Sequence, residues 1–304
     1  MLESVFSVVF IAQALRISVP YALPALGATF SERGGVVNIA LEGMLLVGAF
    51  ATTLGTFYTG NPLTGILCGA IAGGILALIH GIASVTFKVY QIITGIALNL
   101  LSLGLTKFTS QIIFHSSSNS ARIVGLEQLN FLEFDQLPLI SLLFRPFVIL
   151  VIVLTIASHY VLFKTRYGLR LRAVGEHPEA ADSLGIRIAK MRYSGLLLSG
   201  IFAGLGGAWL ALDQHSFTDG MSAGRGYIAL AAMIVGKWKP LTAVAACILF
   251  GFAEALVIHL QGGRVPMQFI QMIPYVLTMI VLAGFIGRTT PPAAGGIPYE
   301  KESQ

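Results

Sequence analysis

A chain of 304 residues that is 55% hydrophobic and only 11% charged, with a mean hydropathy of +0.81, is too apolar for a soluble domain, in which about 25% of residues are charged. The composition is that of a polytopic membrane protein, and its 34 glycines suit transmembrane helices that pack closely through small residues. The formal charge of +5 is not a nucleic-acid footprint, because Lys and Arg of a membrane protein gather in the loops that stay in the cytoplasm.

In chain order, the opening "MLESVFSVVF" carries an acid and no basic n-region, so no secretory signal peptide is expected. About 20 apolar residues are needed to cross a bilayer. On that basis spans are expected near 4–26, 36–58, 62–87, 91–113, 146–163, 193–212, 221–236, 240–260 and 268–287. The expected fold is all-α, a bundle of nine spans within a range of 8–10. Span one carries Arg16, Pro20 and Pro24. Span seven is short and Gly-rich and reads as broken or re-entrant. Cys68 and Cys247 lie inside apolar runs and read as buried thiols packing as small hydrophobes.

The most basic segment is Lys164–Arg192, with Lys164, Arg166, Arg170, Arg172, Arg187, Lys190 and Arg192. With that segment placed in the cytoplasm, the N-terminus falls outside and the C-terminus inside. The inner side then also holds Arg33, Lys88, Lys237, Lys239, Arg288 and Lys301, thirteen basic residues in all. The outer side holds five: Lys107, Arg122, Arg145, Arg225 and Arg264. Arg16 is expected near the inner end of span one. The bias favours this orientation over its reverse. The longest outer loop is 114–145. The chain divides into a transmembrane region, 1–287, and a Pro/Gly-rich cytoplasmic tail, 288–304, expected to be extended.

"NIALEGMLLV" from Asn38 aligns with "YIALAAMIV" from Tyr227 at an offset of 189 residues. In the expected topology one copy starts at the inner face and the other at the outer face, as an inverted duplication would; four identities among apolar residues also arise by chance. Asn38 and Glu42, one turn apart on span two, are expected to share a helix face. Asn99 lies in span four and Glu254 in span eight. Polar groups inside hydrocarbon face a partner, the bundle interior or a water-filled path. These four are therefore candidates for a translocation pathway, or alternatively for interhelical polar clamps. Trp209 and Trp238 lie near span ends, as interface anchors do.

Within the basic segment, "HPEAADSLG" reads as a short helix. Pro178 fits its first turn, Glu176 and Glu179 lie near its positive end, and Gly185 stops it. On the residues alone it is either a loop element or a docking knob for a cytosolic partner. Glu179-Ala180-Ala181 followed by Gly185 gives E-A-A-x-x-x-G, which resembles the cytoplasmic coupling loop of ATP-binding-cassette importer permeases. "YGLRLRAVGEHPEAADSLGI", "ERGGVVNIALEGMLLVGAF", "SGIFAGLGGAWLAL" and "GYIALAAMIVGKWKPLTAVAACILFGFAEAL" resemble the sugar, nucleoside and branched-chain amino acid branch, over roughly residues 20–287. No Leu-Pro follows Gly185 at the usual distance, unlike the maltose-type branch. "NIALEGM" and "GGIPYEK" are most similar to permeases for nucleosides or simple sugars.

The resemblance implies a multi-pass permease of the bacterial inner membrane that forms the pathway for a small polar solute. It implies coupling to a cytosolic ATP-binding subunit through Gly175, Glu176, His177, Pro178, Glu179, Ala180, Ala181 and Gly185. The other implied partners are a second permease subunit, identical or paralogous, an extracytoplasmic substrate-binding protein and membrane lipid. No nucleic acid, cofactor, metal or catalytic residue is expected. The chain has no G-x-x-x-x-G-K-[ST] and no H-E-x-x-H. Its histidines lack ligand spacing, and "GLGG" at Gly204–Gly207 lies in an apolar helix, where it reads as a packing element. The rivals are an ion-gradient-driven secondary transporter using Glu42 or Glu254, a membrane enzyme and a channel.

Overall fold

The computed structural model describes residues 8–126, 145–261 and 290–300, with 272, 276, 279 and 280 as isolated positions. Long apolar runs become long helices: α1 (Val8–Arg33), α2 (Leu41–Thr59), α3 (Pro62–Gly81, continued by a π-helical turn Ile82–Thr86), α4 (Gln91–Phe114) and α5 (Pro146–Lys164). Two short helices follow, α6 (Arg166–Glu176) and α7 (Pro178–Ser183), then α8 (Ile188–Gln214), α9 (Arg225–Val235) and α10 (Pro240–Leu260). Proline opens α3, α5, α7 and α10 at N1 or N2, where its missing N–H costs nothing.

Among the described residues, seven helices are long and apolar enough to cross a membrane. Six of these lie where the sequence places spans two to six and span eight. The expected ninth, 268–287, falls almost wholly outside the described residues. The expected seventh is α9, whose 11 residues reach about 16 Å, half of the roughly 30 Å needed.

Span one needs correction. Its helix runs to Arg33, beyond the expected end at 26, with Pro20 and Pro24 inside it, as transmembrane helices tolerate. Arg16 lies about 25 Å from Arg33 along the axis and pairs with Asp213 at the far end of α8, its Nε 2.9 Å from Oδ1. It therefore sits at the opposite end from Arg33, not beside it. Arg225 also moves, from an outer loop to the bundle interior. The exchange leaves the thirteen-to-five bias unchanged.

α4 shows what kind of solvent surrounds the bundle. Its buried face carries Gln91, Thr94, Asn99, Ser102, Thr106 and Ser110, while Ile92, Ile93, Ile96, Leu100, Leu103, Phe108 and Ile112 face outward. This is the reverse of a water-soluble helix. It is stable only where the surroundings are as apolar as the outward side chains.

α8 is the axis of the bundle and packs on α1, α2 and α3. Its glycines permit this. A Cβ on Gly73 would stand 2.2 Å from Gly200 O, one on Gly204 2.3 Å from Gly69 O, and one on Gly207 2.1 Å from Leu45 O. The "GLGG" run is a seam of direct backbone contact. Cys247 is buried in the core, but Cys68 lies on the outward face of α3. Trp209 and Trp238 are 6% and 5% exposed; they are core residues rather than exposed anchors.

Candidate functional site

α9 is half a span, and polar side chains hold its start. The chain leaves α8 at His215 and runs as a short ribbon against 118–123, with Ser120 N–H donating to Phe217 O at 2.9 Å and Ile123 N–H to His215 O at 2.8 Å. Phe217 plugs into the core against Phe50, ring centroids 5.0 Å apart. A tight series of turns then reaches Gly224, at φ +82°, which starts α9. Glycine is suited to this left-handed position.

The first turn of α9 receives three of the four polar residues singled out in the sequence. Glu42 on α2 accepts from Gly224 N–H through Oε1 and from Gly226 N–H through Oε2, each at 2.7 Å. A carboxylate on two N–H groups at a helix N-terminus is favoured by charge-assisted bonding and by the helix dipole. Asn99 on α4 donates to Tyr227 Oη at 2.9 Å and to Ile39 O at 3.0 Å, and accepts from Gly43 N–H at 2.8 Å. Glu254 on α10 pairs with Arg225 at 2.8 Å and accepts from Tyr21 Oη. Helices α1, α2, α4 and α10 thus converge on Gly224–Tyr227.

Asn38 is the exception. It precedes α2, which starts at Leu41, so the shared helix face expected with Glu42 does not exist. Its Nδ2 donates to Ser199 Oγ on α8 at 2.9 Å. It is fully buried, and its Oδ1 has no hydrogen-bond partner. Sequence reading missed Tyr227 and Arg225 as members of the cluster; the signal was "GRGY", two glycines bracketing an arginine at the start of an apolar run. All three clamp residues are occupied with holding α9. Two cavities lie elsewhere. One of about 140 Å3 is beside Arg16, Trp209 and Asp213. The other is an apolar groove of about 310 Å3 between α1, α5 and α10.

The basic segment forms the second element of the site. Here the sequence reading missed α6. Arg166–Glu176 is itself a helix, capped by Thr165 Oγ1 accepting from Gly168 N–H at 3.2 Å. α7 starts at Pro178, and Gly185 follows it at φ +78° with its N–H on Asp182 O at 2.8 Å, as expected. The eight residues of the motif do not share a surface. His177, Glu179, Ala180 and Gly185 are exposed, as is Leu184 at 81%. Ala181 instead packs inward with Val174 and Ile188, and Gly175 is buried. Glu176 is the last residue of α6 rather than the start of α7. Its carboxylate faces Arg33 at 3.7 Å and accepts from Ala293 N–H at 3.3 Å.

α6 and α7 lie at the end of the bundle that also holds Arg33 and Lys237–Lys239: Arg33 Nε donates to Trp238 O at 3.1 Å. Lys107 pairs at 3.1 Å with Asp219 at the other end.

Known proteins are similar to this sequence over most of its length. NupQ, a guanosine ABC transporter permease protein of Bacillus subtilis, is 39% identical over 96% of this chain and 97% of its own. NupC, a nucleoside ABC transporter permease protein of Lactococcus lactis, is 40% identical over the same shares. TsgC13 of Haloferax volcanii, an ABC transporter permease protein assigned to glucose, is 36% identical over 79% of this chain and 74% of its own. Residues 10–282 match the family described as the permease component of the branched-chain amino acid transport system. The chain belongs to that family and is a multi-pass permease subunit of an ATP-binding-cassette transporter.

Proposed function

We propose that this permease imports a nucleoside across the bacterial cytoplasmic (inner) membrane. The end bearing α6, α7, Arg33 and Lys237–Lys239 lies inside, the N-terminus outside and the C-terminus inside. The basic bias of that end supports the orientation. NupQ and NupC support a nucleoside as solute; TsgC13 supports a simple sugar as the second reading.

The observation that carries the mechanism is α7, a short helix that packs Ala181 inward on Val174 and Ile188 and leaves Leu184 exposed at its end. A separate ATP-binding subunit receives α7 and Leu184 in a cleft, and its closure on ATP moves the helix. ATP hydrolysis belongs to that subunit. A second permease, identical or paralogous, completes the pathway, and an extracytoplasmic binding protein delivers the solute. Asn38, Glu42, Asn99 and Glu254 line the pathway when the broken span moves: Glu42, Asn99 and Glu254, which clamp α9 in this state, and the unpartnered Asn38 Oδ1 offer hydrogen bonds to solute hydroxyls in another.

Two measurements test this. Leu184→Asp places a charge in the docking cleft, so the purified permease should lose the ATP-binding subunit while remaining in the membrane; retention of that subunit refutes the docking role. Right-side-out vesicles loaded with ATP and given no ion gradient test the direction of transport. They should accumulate labelled guanosine, with excess nucleoside but not glucose competing. Uptake that needs an ion gradient and no ATP refutes this mechanism.

A further inference from the structure

Arg33 ends α1 and touches two elements that share no sequence. On one side its Nη1 is 3.7 Å from Glu176 Oε1, the last residue of α6. The backbones also meet there: a Cβ on Gly175 would stand 2.2 Å from Arg33 O. On the other side Nε donates to Trp238 O at 3.1 Å and Nη2 to Lys237 O at 3.3 Å. These two carbonyls belong to the turn between α9 and α10. The guanidinium also lies 5.9 Å from the Phe163 ring centroid at the end of α5.

That turn is strained. Lys237 and Trp238 have φ +56° and +53°, a region costly for side chains of their size. Consecutive left-handed residues persist only when their surroundings over-determine them. Here the fork of Arg33 grips both carbonyls, and the neighbouring Glu32 accepts from Trp238 Nε1 at 2.6 Å. The last two residues of α1 therefore hold the inner end of α9, while Glu42, Asn99 and Glu254 hold its outer end.

We propose that Arg33 is the positioning residue that passes displacement of α6 and α7 to the broken span. Movement of α6 is carried by the Glu176–Arg33 pair and the Gly175 contact to the Lys237–Trp238 turn. From there it travels along α9, a rigid rod of about 16 Å, to the clamp at Gly224–Tyr227. The inference rests on the reading of α6 and α7 as the docking loop.

The test uses the full complex of permease, ATP-binding subunits and binding protein in proteoliposomes, measuring guanosine transported per ATP hydrolysed. Arg33→Ala should keep the ATP-binding subunit bound and hydrolysing, while transport per ATP falls about 2- to 30-fold. Glu176→Gln should lower the ratio in the same direction, and the double variant should be no worse than Arg33→Ala, as for two residues in one linkage. Arg33→Lys keeps a charge for Glu176 but loses the fork, so its ratio should also fall, and it carries the test if Arg33→Ala does not assemble. A wild-type ratio in Arg33→Ala or Arg33→Lys overturns the proposal, as do losses that multiply in the double variant. Failure of the docking reading is distinct: Leu184→Asp would then keep its ATP-binding subunit whatever Arg33 does.

Discussion

Gly226 and Glu42 touch through backbone as well as side chain: a Cβ on Gly226 would stand 2.5 Å from Glu42 N and 2.6 Å from its Cα. The carboxylate can reach both amides of the α9 start only because position 226 has no side chain. Gly226→Ala should therefore push α9 off α2. Overpacking of this kind costs about 1–3 kcal/mol, and it also breaks bonds whose loss leaves buried N–H groups at about 1–3 kcal/mol each. Nucleoside uptake should fall at least about tenfold at normal abundance, with a lower thermal midpoint in detergent. Gly104→Ala, where a Cβ meets nothing within 4 Å, is the control and should transport normally. Glu42→Ala should insert and lose uptake; normal uptake would remove Glu42 from both the clamp and the pathway.

Arg225 and Glu254 offer a test of what the ion pair contributes. Their side chains are 19% and 23% exposed, and the contact is 2.8 Å. Removing one partner leaves the other charge uncompensated inside the bundle, at about 3–5 kcal/mol for a buried pair. Removing both leaves apolar packing. Arg225→Met and Glu254→Met should each lower the thermal midpoint, and the double variant should recover most of the loss. Uptake should stay low in all three, because the α9 start loses its hold on α10. A double variant as unstable as the sum of the singles would mean that the two residues do not act as a pair.

The contrast between these residues and the rest of the chain shows what a sequence makes readable. Runs such as 146–163 and 240–260 announce their helices, because a membrane span must be apolar along its whole length. Glu42, Asn99 and Glu254 stood out by being polar in such runs. Their common target did not, since Glu42 and Gly226 are 184 positions apart. Arg16 and the two prolines of α1 misled for a physical reason: a charge can be paired and a proline accommodated by neighbours whose identity appears only in the fold. α6 escaped notice because the high Arg content of 166–172 outweighs the inward set Gly168, Leu171, Val174 and Gly175. In the tail, proline and glycine describe an extended chain but not what it lies against.

The tail's described part, 290–300, is a strap. Ala294 N–H donates to Gly175 O at 2.9 Å, Ala293 N–H to Glu176 Oε2 at 3.3 Å, and Arg192 Nη1 to Ile297 O at 3.1 Å, while Lys88 pairs with Glu300 at 3.0 Å. Tyr299 packs with Val174, Ala181 and Ile188, the inward side of the α6–α7 unit. The surface pair counts for little, but the backbone bonds are each worth about 1 kcal/mol. Two of them end on Gly175 and Glu176, the residues that meet Arg33. A chain ending at Thr290 should still insert and bind the ATP-binding subunit, because α7 and Leu184 are intact. Hydrogen exchange of the amides between Val174 and Ile188 should accelerate about thirtyfold, since local opening there loses roughly two bonds' worth of stability. Transport per ATP should fall with it, because a loosened α6 moves without pulling on Arg33. Unchanged exchange in that segment would show that the tail rests on the loop without restraining it.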